Sequence, residues 1–247
     1  MWRYPKILAH RGGGKLAPEN TMAGLRAGLR YGFRAVEFDV MLSRDGVPLL
    51  MHDPEFGRTI AGNGAVADTL AADLVQMDAG SWFGPEFAGA RAPLFAEVLE
   101  FCRQEQIFMN VEIKPAPGHE TRTGQIVAAM VRDFCAAHPD LPPPLLSSFS
   151  MEAMQAAASA APDVARGLLF ERVPADWRAR MQAHGAIALH THYSQASAAL
   201  AQEAHAAGWA LFCYTVNTLE LAAHLRMLGV DAFCTDRIDV LGPHVWD

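Results

Sequence analysis

Eight short apolar runs, separated by stretches of helical period, leave this chain few ways to fold. The runs are 7–10, 35–42, 107–114, 145–149, 167–171, 186–192, 210–216 and 232–235. Between them lie the helical stretches 21–31, 94–104, 125–136, 151–160, 176–184, 198–207 and 219–228. Alternating strands and crossover helices require a parallel sheet, and eight such strands predict closure into a (β/α)8 barrel, the TIM-barrel architecture. An open doubly wound sheet is the alternative, but no GxGxxG follows the first run, which weakens its dinucleotide-binding form. The 247 residues suit one barrel domain spanning 1–247.

Two features interrupt the alternation. Arg44-Asp45-Gly46 separates 35–42 from a further strand-like run at 47–52, and Asp-Gly between apolar runs signals a turn. Residues 54–92 are rich in Gly, Asp and Ala, with Trp82 and Phe83 in a Gly-flanked segment. This reads as an excursion from the barrel, not a separate domain. Asn20 is placed to cap the first helix, and Met22, Met151, Met154 and Met227 read as core filler on helical faces.

Composition excludes several functions. With 20 Lys+Arg against 27 Asp+Glu the net charge is −7, so duplex nucleic acid and anionic membrane surfaces are poor partners. No run of about 18 apolar residues is present, so no membrane insertion is expected. The apolar part of the first residues is too short for a secretory signal and reads as a buried strand. Four cysteines without a CxxC pair argue against zinc and disulfides and for reduced thiols in a cytoplasm.

The chemistry begins at Val36-Glu37-Phe38-Asp39-Val40. Strand side chains alternate, so Glu37 and Asp39 share one face while Val36, Phe38 and Val40 share the other. Asn110-Val111-Glu112-Ile113-Lys114 repeats the pattern, with Asn110, Glu112 and Lys114 together. In a barrel both polar sets face the mouth, where active sites of this architecture lie. Glu37, Asp39 and Glu112 then form an all-oxygen cage for a hard divalent cation such as Mg2+ or Ca2+. The bland alternative is salt bridging to Lys or Arg.

His10 and His52 end strand-like runs and are delivered to the same rim as candidate acids or bases. His190 and His192 share a strand face and are weaker candidates. Arg11 and Lys114 offer fixed positive charge for a phosphate, and Tyr214 a ring at the rim. Gly12-Gly13-Gly14 allows close backbone approach or unusual dihedral angles, and is either a phosphate cradle or a flexible βα loop.

Taken in order, His10-Arg11-Gly12, Pro18-Glu19-Asn20-Thr21, Glu37-Phe38-Asp39, Asp45-Gly46, His52-Asp53, Val111-Glu112-Ile113-Lys114, Ser148-Phe149, Tyr214-Thr215-Val216-Asn217 and Thr235-Asp236 resemble the glycerophosphodiester phosphodiesterases, most of all their cytoplasmic bacterial members. The resemblance implies a TIM barrel with a small inserted subdomain, 54–92, after the second strand region. It implies Glu37, Asp39 and Glu112 as ligands of one divalent cation, Mg2+ or Ca2+, with Mn2+ or Co2+ as substitutes. It implies His10 and His52 as the catalytic pair and Arg11, Lys114 and Tyr214 as substrate contacts, although many members carry Trp at the place of Tyr214. The implied reaction is hydrolysis of glycerophosphodiesters, such as glycerophosphocholine or glycerophosphoethanolamine, to sn-glycerol 3-phosphate and an alcohol. Which histidine is the acid, and whether water or the glycerol 2-hydroxyl attacks, stay open, as does a homodimer. A lysolipid- or sphingolipid-cleaving relative would be expected to carry an apolar loop or signal peptide, and a silent polyol-phosphate-binding barrel need not retain all five residues.

Overall fold

The computed structural model describes residues 2–246. Nine strands form one sheet: β1 Ile7–Ala9, β2 Ala35–Leu42, β3 Pro48–Leu50, β4 Phe108–Ile113, β5 Leu145–Ser148, β6 Arg166–Phe170, β7 Ala188–His192, β8 Ala210–Tyr214 and β9 Ala232–Thr235. All except β3 are parallel and run in the order β1-β2-β4-β5-β6-β7-β8-β9, and β9 pairs back onto β1. The barrel is therefore closed, a (β/α)8 barrel. β3 is an antiparallel hairpin partner of β2, with Val40 opposite Leu50 and Leu42 opposite Pro48. It ends at Leu50, so His52 stands beyond the sheet and not at the end of a longer strand.

The helices are α1 Met22–Arg30, α2 Ala71–Leu74, α3 Phe95–Gln104, α4 Glu120–Ala137, α5 Met151–Ala160, α6 Trp177–Ala183, α7 Ala198–Ala206 and α8 Leu219–Leu228. Hydroxyl caps start four of them: Thr21, Ser150, Ser197 and Thr218 each accept a free backbone N–H of the first turn. Thr21, not Asn20, is thus the cap of α1. Asn20 sits at φ 55° with its amide directed elsewhere. α4 begins five residues before the expected 125. Thr123 and Gly124 are poor helix formers, but both are buried in α4, where packing outweighs propensity.

Alternation along the strands sorts the core into two layers. Val36, Phe38 and Val40 of β2 and Val111 and Ile113 of β4 face the helices, meeting Phe95, Val98 and Leu99 of α3 among others. Ala35 and Phe108 face the barrel interior with Leu8, Leu145, Phe212 and Cys234. Tyr4 stacks on Phe108 with centroids 4.5 Å apart. Met154 is fully buried in α5, as expected of core filler, but Met227 is 79% exposed. It follows Leu225 by two residues, which on a helix places it on nearly the opposite face.

Residues 54–92 contain two short 3-10 turns, Val66–Asp68 and Pro85–Phe87, besides α2. Ile60, Val66 and Leu74 pack with Met41 and Leu49 of the β2–β3 hairpin in an apolar cluster separate from the barrel core. No helix among the described residues is long and apolar enough to cross a membrane.

Candidate active site

The C-terminal ends of the barrel strands gather the charged residues. Glu37 and Asp39 project inward from β2 and Glu112 from β4, where Asp39 is the register partner of Glu112. All three are buried, and each offers an oxygen within 4.8 Å of the others. A cavity of about 220 Å³ opens over them, lined by His10, Arg11, His52, Asn110, Lys114 and Tyr214 among others. The structure therefore brings Glu37, Asp39, Glu112, His10, His52, Arg11, Lys114 and Tyr214 together at one mouth.

Burying three carboxylates together is costly unless protons or cations intervene. Burial, with Asp39 adding to it against the pull of His10 and Arg11, pushes Glu37 up to about 7. Burial and Asp39 push Glu112 up to about 8 against Lys114. Asp39 moves down: burial opposes its charge, but Arg11, Lys114, His52 and the Asn20 amide outweigh it. Lys114 Nζ lies 3.0 Å from Glu112 and 3.6 Å from Asp39. These ion pairs fit the bland reading in part. Three carboxylate oxygens this close together nevertheless make an all-oxygen donor set that suits a hard divalent cation.

The two histidines are held differently. His10 Nδ1 is 2.6 Å from Asp236 Oδ1, and its Nε2 faces Glu37 Oε2 at 3.7 Å. Burial resists a charge on His10, but the Asp236 hydrogen bond and the Glu37 carboxylate prevail and raise its pKa. His52 Nδ1 is 2.6 Å from Asp53 Oδ1, while its Nε2 lies 3.0 Å from Lys114 Nζ. An ammonium has no lone pair, so Nε2 of His52 accepts and Nδ1–H donates to Asp53. Burial lowers the His52 pKa and the Arg11 and Lys114 charges add to this, against Asp39 and Asp53.

Sequence reasoning gave no role in the site to Glu19, Asp53 and Asp236, which hold these groups in place, and read Asn20 only as a helix cap. Asn20 clamps Asp39 twice: its Nδ2 donates to Oδ2 at 2.8 Å, and its Oδ1 accepts the Asp39 N–H at 3.1 Å. Asp236 follows β9, and barrel closure alone sets it beside His10. Glu19 accepts from both Arg11 and Arg58. Asp53 directly follows His52, the one of these signals readable from adjacency.

Other expectations divide. Gly12 and Gly14 serve the close backbone approach expected of the triplet, both at positive φ (87° and 54°). A Cβ on Gly12 would lie 2.9 Å from the Leu25 nitrogen and one on Gly14 2.2 Å from the Asp236 carbonyl, so the loop is a packing device between α1 and β9. Arg11 lines the cavity, yet its guanidinium is also engaged by Glu19 at 2.8 Å and Asp39 at 3.4 Å. His192 is near the rim, its ring 6.0 Å from that of Tyr214. His190 is instead wholly buried, stacked on Phe212, with no hydrogen-bond partner on either ring nitrogen among the described residues. The Tyr214 hydroxyl donates to the Phe170 carbonyl at 3.1 Å.

A barrel with acidic, histidine and lysine side chains converging at its C-terminal mouth defines an acid–base site able to take a phosphorylated ligand, and comparison with known proteins defines the family. Residues 10–240 match the model of the glycerophosphoryl diester phosphodiesterase family. A glycerophosphodiester phosphodiesterase of Caldanaerobacter subterraneus is 31% identical over 242 residues, covering 95% of each chain. The solved structure of an Oleispira antarctica phosphodiesterase, in complex with the product sn-glycerol-3-phosphate, matches with a TM-score of 0.86 and 37% identity over 94% of this chain and 93% of that one. A glycerophosphodiester phosphodiesterase from Agrobacterium tumefaciens matches with a TM-score of 0.80 and 28% identity, covering 96% and 98%. The chain belongs to the glycerophosphoryl diester phosphodiesterase family and is an enzyme of that class.

Proposed function

We propose that the protein hydrolyses glycerophosphodiesters to sn-glycerol 3-phosphate and an alcohol, with one divalent cation held by Glu37, Asp39 and Glu112. The observation that carries this reading is the convergence of three buried carboxylates with His10 and His52 on one pocket. The Oleispira relative with its bound product supports the same reaction. When bound, the cation supplies positive charge against a nonbridging phosphate oxygen, where negative charge grows during transfer. Mg2+ and Ca2+ suit the oxygen donors best, with Mn2+ and Co2+ as substitutes.

Lys114 and Arg11 add fixed charge on the phosphate and orient it. Tyr214 bounds the pocket beside it. His52, neutral with a lone pair on Nε2, takes the proton of the attacking oxygen. His10, whose protonated form Asp236 and Glu37 favour, gives a proton to the departing alkoxide. The attacking oxygen belongs to water or to the neighbouring 2-hydroxyl, and an internal hydroxyl would hold the larger proximity advantage. All four cysteines are free, three of them buried, in keeping with the cytoplasmic location we assign.

The test is incubation with glycerophosphocholine and, separately, lysophosphatidylcholine. Release of glycerol 3-phosphate from the first is expected, and cleavage of the second alone would contradict the proposal.

A further inference from the structure

Arg58 belongs to the segment 54–92 that leaves the barrel, and it reaches back to the catalytic mouth. A tight turn fixes its backbone: the Gly57 N–H donates to the Ile60 carbonyl at 2.7 Å, and the Phe56 N–H to the Gly64 carbonyl at 2.9 Å. Thr59 and Ile60, directly after it, are buried, and Ile60 packs with Met41 and Leu49 of the β2–β3 hairpin. From this anchored base the side chain, 44% exposed, enters a groove of about 470 Å³ that it lines together with His10, Arg11 and Glu19.

One guanidinium there holds two carboxylates. Its Nη1 and Nη2 donate to Glu19 Oε2 and Oε1, each at 2.7 Å, and its Nε donates to Asp53 Oδ2 at 2.5 Å. Each carboxylate in turn meets a group of the site. Glu19 Oε1 also accepts from Arg11 Nη1 at 2.8 Å, and Asp53 Oδ1 lies 2.6 Å from His52 Nδ1. Glu19 comes from the loop before α1 and Asp53 from the loop after β3, and among the described residues no other side chain hydrogen-bonds both. A lone exposed ion pair fixes little, but a planar fork closed on one carboxylate and bonded to a second sets the geometry of both.

We propose that Arg58 is a positioning residue that couples the two halves of the site: through Asp53 it aims His52, and through Glu19 it sets Arg11 against the phosphate. The inserted segment thereby takes part in the reaction without touching the substrate. The assignment rests on the phosphodiesterase reading above and on the roles it gives to His52 and Arg11. A lysine at this place would keep the charge but not the fork.

The experiment measures kcat and KM on glycerophosphocholine for wild type, Glu19→Gln, Asp53→Asn and their double variant, and for the same set carrying Arg58→Ala. Circular dichroism checks that each protein is folded. Arg58→Ala is expected to lower kcat by about 10- to 100-fold and to raise KM by about three- to tenfold, and Arg58→Lys to restore neither. While Arg58 is present, the loss of kcat/KM in the double variant should fall short of the product of the two single losses by about fivefold or more, because either single change already loosens the guanidinium at both ends. With Arg58→Ala the two losses should multiply. Losses that multiply in protein keeping Arg58 overturn the proposal. So does a folded Arg58→Ala enzyme with wild-type kcat and KM and only a lowered Tm, the mark of a merely structural ion pair. If Arg58→Ala does not fold, the comparison in protein keeping Arg58 decides alone. No hydrolysis by wild type overturns the phosphodiesterase reading itself and this assignment with it.

Discussion

His10 Nδ1 and Asp236 Oδ1 meet at 2.6 Å across the seam where β9 closes onto β1. The contact joins residues 226 positions apart, so a catalytic side chain is oriented by closure of the barrel itself. Asp236 fixes the tautomer of His10 and stabilises its charged form, as outer partners of catalytic and metal-binding histidines generally do. Asp236→Asn should lower kcat by about 10- to 100-fold in a folded protein. Losing the carboxylate lowers the His10 pKa, so the alkaline limb of the kcat/KM profile should move to lower pH. An unchanged limb would separate His10 from the acid role.

His52 is tied to its neighbour Asp53 and to Lys114 across the pocket. Replacing it or His10 with alanine removes a proton-transfer group, and kcat should fall by about 10²–10⁴-fold while the circular dichroism spectrum is kept. Near-normal turnover by either variant would exclude that residue from the chemistry. A diester lacking the glycerol 2-hydroxyl should be inert if that hydroxyl attacks; its ready cleavage would assign the attack to water.

The carboxylates predict a pH-dependent response to cations. In the metal-free fold Glu37 and Glu112 titrate near about 7 and about 8, against an ordinary 4.5. Their raised values mean the folded state binds more protons than the unfolded one across that interval. The associated stability is present below 4.5 and is lost as pH rises through about 8. A bound cation replaces those protons, so it should raise Tm more at about pH 8.5 than at about pH 6. Differential scanning calorimetry of the chelated protein with and without Ca2+ checks this; an equal or larger rise at the lower pH would contradict it.

His190 predicts an acid limit. Burial holds its pKa down at about 3 against an ordinary 6.5, and neither ring nitrogen has a partner among the described residues. For this lowered base the unfolded state binds the extra proton. The stabilising difference is therefore present above 6.5 and lost as pH falls toward 3. By about pH 5 the loss reaches about 2 kcal/mol. His190→Phe, which keeps a ring against Phe212, should flatten that limb of the urea-denaturation profile. An unchanged slope would mean that His190 titrates normally.

Much of this was legible in the sequence because strand alternation is a strictly local rule. Glu37, Asp39 and Glu112 could be assigned to the barrel interior, and Val36, Phe38 and Val111 to the helix side, from spacing alone. α5 and α8 also have the expected bounds. What escaped depends on non-local geometry. Asn20 looked like a helix cap because its type suits one, but Thr21 takes that place and frees the Asn20 amide for Asp39. Asp236 acquires its partner only through closure, and Glu19 its bridge between Arg11 and Arg58 only when residues 54–92 fold back. That segment carries short turns without periodicity, so its packing against Met41 and Leu49 left no pattern to read.

The central claim is that Glu37, Asp39 and Glu112 act together through one bound cation. A phosphorus NMR time course on glycerophosphocholine, run with chelator-treated protein before and after addition of Mg2+ or Ca2+, tests it most directly. The sn-glycerol 3-phosphate resonance should grow only after the cation is added, and should stay absent in Glu37→Gln/Glu112→Gln under both conditions. Equal growth in the chelated wild type, or cation-restored growth in the double variant, would contradict the account.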